Sequence, residues 1–166
     1  MLSFRDFAYT DADLILSWID SERALRLWSA DTYGEYPLNS SDIISRYELI
    51  RSNHGENVRI LMAEEDGVPA GHIVLRRLGD EKDTVRFGYI IVDSCIRGTG
   101  YGKKLLSLAE DYAIRCYGAQ RLTLGVFENN LPAFKCYSSF GFCECCDELV
   151  KIGDESWKCL ELEKLL

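Results

Sequence analysis

Hydrophobic positions along the chain change rhythm several times, and each change marks an element. Residues 2–8 alternate enough for an edge strand. Behind the acidic start at Asp11, Leu14, Ile15, Trp18 and Ile19 recur at helical spacing, which predicts a helix over about 11–20. Ser21 or Asp20 can cap a second short helix carrying Leu25 and Trp28. Ser40 or Ser41 can cap a third with Ile43, Ile44, Tyr47 and Ile50, and residues 33–38 between them read as a loop. Two apolar-rich runs, 57–65 and 70–77, flank the turn signal Asp66-Gly67-Val68-Pro69 and predict a hairpin. A third strand over 84–92 runs into a glycine-rich turn. The helix after it places Leu105, Leu108, Ala109, Tyr112 and Cys116 on one stripe, with Gly118 as its stop. A strand over 121–127, a helix entered at Pro132, and a closing hairpin of 142–150 and 156–162 about Gly153-Asp154 complete the chain. This order is neither strictly alternating nor all-β. It predicts a mixed α/β (α+β) fold in a single domain over residues 1–166, with a mostly antiparallel central sheet and helices on both faces.

Composition narrows the class. With 166 residues, 47% hydrophobic and 28% charged, the chain suits one globular domain. Residues 1–6 lack the apolar run of a signal peptide and no segment has the length of a membrane span, so a cytoplasmic protein with no membrane partner is expected. A net charge of −8 argues against nucleic acid as a partner. The seven cysteines are expected reduced. Cys143-x-Cys145-Cys146 lacks the two-residue spacer of zinc knuckles, and in an extended run Cys143 and Cys145 would share one face with Cys146 on the other. Packing is the expected role and no metal site is assigned.

The stretch with the most chemistry in it runs from Ile90 to Lys103. An apolar strand, Ile90-Ile91-Val92, leads into Arg97-Gly98-Thr99-Gly100-Tyr101-Gly102-Lys103 and a new helix. Closely spaced glycines let backbone amides turn towards a ligand, and a helix start adds unpaired donors and a positive dipole end, so a pyrophosphate is the natural guest. A Walker loop is excluded, because Arg97 stands where its first glycine would be and Lys104 follows Lys103 in place of Ser or Thr. The dinucleotide fingerprint also fits poorly, with Lys103 where its third glycine belongs.

Arg97-x-x-Gly100-x-Gly102 resembles the Gln/Arg-x-x-Gly-x-Gly/Ala signature of the GNAT superfamily of N-acetyltransferases. About thirty residues on, Asn130-x-x-Ala133-x-x-x-Tyr137-x-x-x-Gly141-Phe142 is similar to a second motif of that family, with a helix and a strand between the two. The resemblance covers essentially the whole chain and implies the same mixed sheet. It implies acetyl-CoA as cosubstrate, with its pyrophosphate on the loop formed by Arg97, Gly98, Thr99, Gly100, Tyr101, Gly102 and Lys103, and its pantetheine arm along the backbone of Ile90, Ile91 and Val92. Asn130 matches the asparagine that helps hold the cofactor, and Tyr137 the tyrosine that protonates the departing thiolate.

The general base does not carry over. Some N-terminal acetyltransferases of the superfamily hold a glutamate five residues before the motif asparagine, and that position is Gly125 here. Asp93 matches a position that is often merely polar. Glu128 is the candidate base, or else a surface carboxylate, and a water relay or a partly neutral amine are the alternatives. His54 is expected in an exposed loop and His72 as a satisfied strand residue. Trp18, Trp28, Tyr33 and 36–38 stand where the superfamily builds its acceptor wall. Residues 1–50 hold nine acids against four arginines, which suits a cationic small-molecule amine. N-acetylation of a polyamine or aminosugar by direct attack is therefore expected. The alternatives are a ribosomal-protein-type N-terminal acetyltransferase and a catalytically silent CoA-binding module. The edge of the closing hairpin leaves a homodimer possible.

Overall fold

The computed structural model describes residues 1–79 and 83–166. Along them run β1 (Leu2–Asp6), α1 (Asp11–Ser17), α2 (Glu22–Ser29), α3 (Ser40–His54), β2 (Val58–Glu65), β3 (Val68–Arg77), β4 (Thr84–Val92), α4 (Tyr101–Tyr117), β5 (Arg121–Phe127), α5 (Leu131–Phe140), β6 (Cys143–Ile152) and β7 (Glu155–Leu165). The strands form one sheet in the order β1-β2-β3-β4-β5-β7-β6, antiparallel at every pairing except β4 with β5. The expected mixed, mostly antiparallel sheet with helices on both faces is what the chain forms. Among the described residues no helix is long and apolar enough to cross a membrane.

Strand alternation makes two cores. Leu61, Ile73, Val85, Phe87, Leu122 and Leu124 point to one face and are buried with Leu105, Leu106 and Ala109 of α4 and Tyr137 of α5. Ile60, Met62 and Val74 point to the other, where Ile15, Leu25, Ile43 and Tyr47 of α1, α2 and α3 cover them. His72 is fully buried in the second layer. The Leu61 carbonyl can only accept, so the His72 Nδ1 carries the proton to it over 3.0 Å. Its Nε2 then accepts from the Tyr47 hydroxyl at 2.6 Å. It is the satisfied strand residue that the sequence predicts.

Several local expectations are corrected. Helix α1 ends at Ser17, short of residue 20. Helix α3 is capped by Asn39 rather than Ser40 or Ser41: Asn39 Oδ1 accepts from Asp42 N, and the Asp42 carboxylate returns the bond to Asn39 N. His54 is the last residue of α3, half-buried, with Nε2 3.5 Å from Arg76 Nη1, rather than part of an exposed loop. On α4 the buried stripe runs through Leu105, Leu106, Ala109 and Ala113, and Cys116 is exposed. The cysteine cluster also turns differently. A bulge between Glu144 and Cys146 sets Cys143 opposite Glu163 and Cys146 opposite Glu161, so these two share a face and Cys145 is the extra residue. All three are exposed rather than packed.

Candidate active site

The site exists because two strands part. β4 and β5 pair from Thr84/Arg121 to Arg86/Thr123, after which no register joins them, although β4 continues to Val92 and β5 to Phe127. A bulge helps to separate them. Between Ile91 and Gly88 the β4 strand takes three steps while β3 takes two, from His72 to Val74, and the intervening Tyr89 has φ +49°. The wedge so opened is a cleft of about 540 Å³. One wall is residues 86–92 of β4. The other is Gly125, Val126 and Phe127 of β5 with Asn130, Ala133, Cys136 and Tyr137 from α5 and its entry.

The glycine loop closes one end. Gly98 and Gly100 have φ of +78° and +91°, conformations that side chains disfavour. Gly100 caps α4 without any side-chain bond, and the first helical bond runs from Lys104 N to Gly100 O, so the earlier amides of the turn remain free for an anion. Gly102 is needed for another reason: a Cβ there would stand 3.0 Å from Cys136 Sγ, so its absence lets α4 approach α5. Gly102 lines the cleft and the Lys103 side chain is exposed. Arg97 has an unexpected task. Its Nε donates to Val92 O at 3.0 Å and its Nη2 to Trp18 O at 2.6 Å, which ties the loop to the end of β4 and the end of α1. The Thr99 hydroxyl donates to Ile96 O, and the Tyr101 hydroxyl donates to Glu65 while Lys104 sits over the Tyr101 ring. The polar groups of Thr99 and Tyr101 thus serve the loop itself.

Tyr137 is buried in the wall of the cleft. Burial, and then the neighbouring Cys136, hold its pKa well above the ordinary phenol value, so it keeps its proton across the neutral range. Asn130 lines the cleft beside it, its side chain free of any capping bond. Two thiols share the wall. Burial raises the pKa of Cys136, and burial followed by the carboxylates of Glu161 and Glu148 raises that of Cys159 to about 11, so neither is a thiolate at neutral pH.

Charge in the cleft departs from expectation. Arg86 and Arg97 line it, and among the described residues no Asp or Glu does. Glu128, the expected base, is exposed outside the lining, with Oε1 4.0 Å from Lys158 Nζ. Beside Gly125, outside the lining, stands the carboxylate of Glu161 on β7. Its two oxygens take both Nη groups of Arg86, at 2.6 and 2.9 Å, and Oε1 stands 3.1 Å from the point where a Cβ on Gly125 would be. A carboxylate from a neighbouring strand thus fills the space beside the side chain that position 125 lacks. Of the expected aromatic wall, Trp18 and Trp28 line the cleft. Tyr33 stacks behind Trp28 with ring centroids 6.3 Å apart, and Tyr36 lies outside the lining.

The sequence profile described as the acetyltransferase (GNAT) family matches residues 21–142, which includes the loop, the wedge and Tyr137. The chain belongs to that family. A 51-residue stretch is 37% identical to the spermine/spermidine N(1)-acetyltransferase of Bacillus subtilis (strain 168), covering 31% of this chain and 34% of that protein, so the match spans about a third of the curated relative's length. The fold is shared more widely. The spermidine N-acetyltransferase of Vibrio cholerae, solved with CoA and spermine, aligns with a TM-score of 0.79 over 99% of this chain and 95% of that one at 18% identity. AAC(6')-Ib, an aminoglycoside acetyltransferase solved with ribostamycin and coenzyme A, aligns with a TM-score of 0.75 over 99% and 93% at 16% identity.

Within this GNAT domain the structure brings together Ile90, Ile91, Val92, Arg97, Gly102, Asn130 and Tyr137 around one cleft, and leaves Glu128 outside it. Sequence reasoning missed Arg86 and Glu161. They are 75 residues apart and meet because β5 lies between their strands and offers only a glycine on the shared face. The one signal was Gly125 itself, a glycine inside a strand with a negative φ, which marks close approach of another group.

Proposed function

We propose that this protein is an acetyl-CoA-dependent N-acetyltransferase acting on the primary amine of a small molecule. The observation that carries the reading is the wedge between β4 and β5, open to the uncapped start of α4 at one end and walled by Tyr137. Its residues suit the cosubstrate. The amides of 98–103 and the Lys103 ammonium fit a pyrophosphate, the backbone edge of Ile90, Ile91 and Val92 that β5 leaves without a strand partner fits an amide-bearing arm, with Val92 O already held by Arg97, and Asn130 lines the cleft with Tyr137. Acetyl-CoA supplies the activated acyl group. Tyr137 holds its proton at the wall of the cleft for the leaving thiolate, and protonated Cys136 and Cys159 are poor nucleophiles, which favours direct attack by the amine over an acyl-cysteine route. Glu161, beside Gly125, is the carboxylate placed to orient a water that takes the amine proton.

The acceptor expected from the sequence is a polyamine or an aminosugar, and the aromatic faces of Trp18 and Trp28 with the matched spermine/spermidine relative support that class. A specific observation favours a second reading: among the described residues the lining carries two arginines and no carboxylate, which suits an amine whose own charge is not wholly positive. The test is incubation with acetyl-CoA and separate pools of polyamines, aminoglycosides, amino acids and short peptides, with CoA quantified by chromatography. Release above the amine-free control in one pool is expected. No release in any pool, with acetyl-CoA still bound by calorimetry, would leave a silent CoA-binding module.

A further inference from the structure

A second cavity of about 240 Å³ lies between α3 and the sheet, beside the cleft, and Arg86, Gly88 and Tyr89 line both. Arg46 and His54 come from α3 and Arg76 from β3, opposite Arg86 in the β3/β4 register. Among the described residues no Asp or Glu lines it, in a chain of net charge −8. Arg86 is already matched by Glu161. Arg46 and Arg76 are half-buried and have no carboxylate partner among the described residues. Arg46 Nε donates to the Tyr89 hydroxyl at 3.2 Å and Arg76 Nη1 lies 3.5 Å from His54 Nε2, which leaves other N–H groups of both guanidiniums unused. His54 adds no negative charge, and burial together with the Arg76 cation lowers its pKa. Two partly desolvated cations without a counter-charge among the described residues are costly, and an oxyanion would satisfy both forks at once.

Gly88 supplies an independent observation. Its φ is outside the left-handed region, and a Cβ built there would meet nothing within 4 Å. Neither backbone conformation nor crowding therefore calls for glycine in this strand. What its missing side chain preserves is open space where the two cavities join, the situation in which a strand glycine makes way for a ligand.

We propose that the basic pocket is an oxyanion subsite of the acceptor site, so that the acceptor is an amino acid-like molecule carrying a carboxylate or phosphonate a few bonds from its amine. The amine lies in the cleft, the chain passes Gly88, and the acid group rests between Arg46 and Arg76. This deepens the acetyltransferase reading and rests on it.

The test compares kcat/KM for ω-amino carboxylates of three to six carbons and the matching ω-aminophosphonates with that for plain alkylamines and diamines of equal length. One acid-bearing series is expected to exceed its alkylamine at least tenfold, and the better series identifies the oxyanion. Arg46→Met and Arg76→Met should each reduce that ratio about tenfold, and Gly88→Val should do the same by blocking the passage. Wild-type turnover with a ratio near one, or a preference for diamines, overturns the subsite while leaving the acetyltransferase reading intact. If no amine is acetylated, that reading has failed instead. Calorimetry with glutarate and with inorganic phosphate then decides the pocket alone: binding by the wild type that Arg46→Met and Arg76→Met abolish supports an oxyanion site, and no binding overturns it.

Discussion

In the proposed reaction Tyr137 is the proton donor, and its surroundings make two quantitative demands. A phenol with its pKa raised by burial keeps its proton to beyond pH 10. Raising the pH should therefore not remove the acid: kcat should rise as the amine and its relay deprotonate and show no fall due to Tyr137 below about pH 10. Tyr137→Phe should lower kcat by about 10²-fold while the dissociation constant for acetyl-CoA changes little, since the ring stays in place. Equal losses in both would instead assign Tyr137 to packing. Glu161→Gln makes a different prediction. The amide still reaches Arg86 but no longer balances its charge or accepts a proton, so a fall in kcat of about tenfold or more, with acetyl-CoA binding kept, is expected if it serves the water relay. An equal loss in Arg86→Met would mean that it acts only by holding Arg86. Tyr137 was legible in the sequence because a motif carries it. Glu161 was not, because its relation to Gly125 is a contact across strands that no spacing along the chain encodes.

Elements place those residues, and here the sequence was legible wherever a local signal decides. The strand over 84–92 and its glycine turn, the Asp66-Gly67 and Gly153 turns, and Pro132 at the start of α5 appear where periodicity and turn chemistry put them. The misses share a cause: bulges and cross-element hydrogen bonds leave no periodic trace. The bulge at Tyr89 that parts β4 from β5, and the one at Cys145 that reverses the expected facing of the cysteines, each add one residue whose cost is met by tertiary contacts. Arg97 is the clearest case. It was expected on the phosphates, yet its guanidinium is spent on Val92 O and Trp18 O. Arg97→Met should weaken acetyl-CoA binding about tenfold and, in the cofactor-free protein, speed amide hydrogen exchange over residues 94–100. Weakened binding with unchanged exchange would show that Arg97 acts by touching the phosphates rather than by bracing the loop.

At the scale of the molecule, two cores share one sheet, and the second contains a titratable group with no route to water. His72 is neutral between the Leu61 carbonyl and the Tyr47 hydroxyl, and desolvation lowers its pKa from 6.5 to about 3, with the Leu61 bond and Asp11 opposing only in part. Because the folded pKa lies below the unfolded one, the unfolded chain binds the extra proton first. The native state is then fully favoured above pH 6.5 and loses ground as pH falls from there towards 3, by about 1.4 kcal/mol per unit once the unfolded histidine is protonated. A fall from pH 7 to pH 5 should remove roughly 2 kcal/mol, an appreciable part of the ~5–15 kcal/mol of a domain this size. The measurement is urea unfolding at pH 7, 6 and 5 for the wild type and His72→Gln. Glutamine can donate to Leu61 O and accept from Tyr47 but does not titrate, so the variant should start less stable at pH 7 and lose less over the interval. Carboxylates such as Asp11, whose pKa lies low beside Arg5, titrate below this window, and the other histidine, His54, is common to both proteins. Parallel losses in the two would mean that His72 is not the group that couples this core to pH.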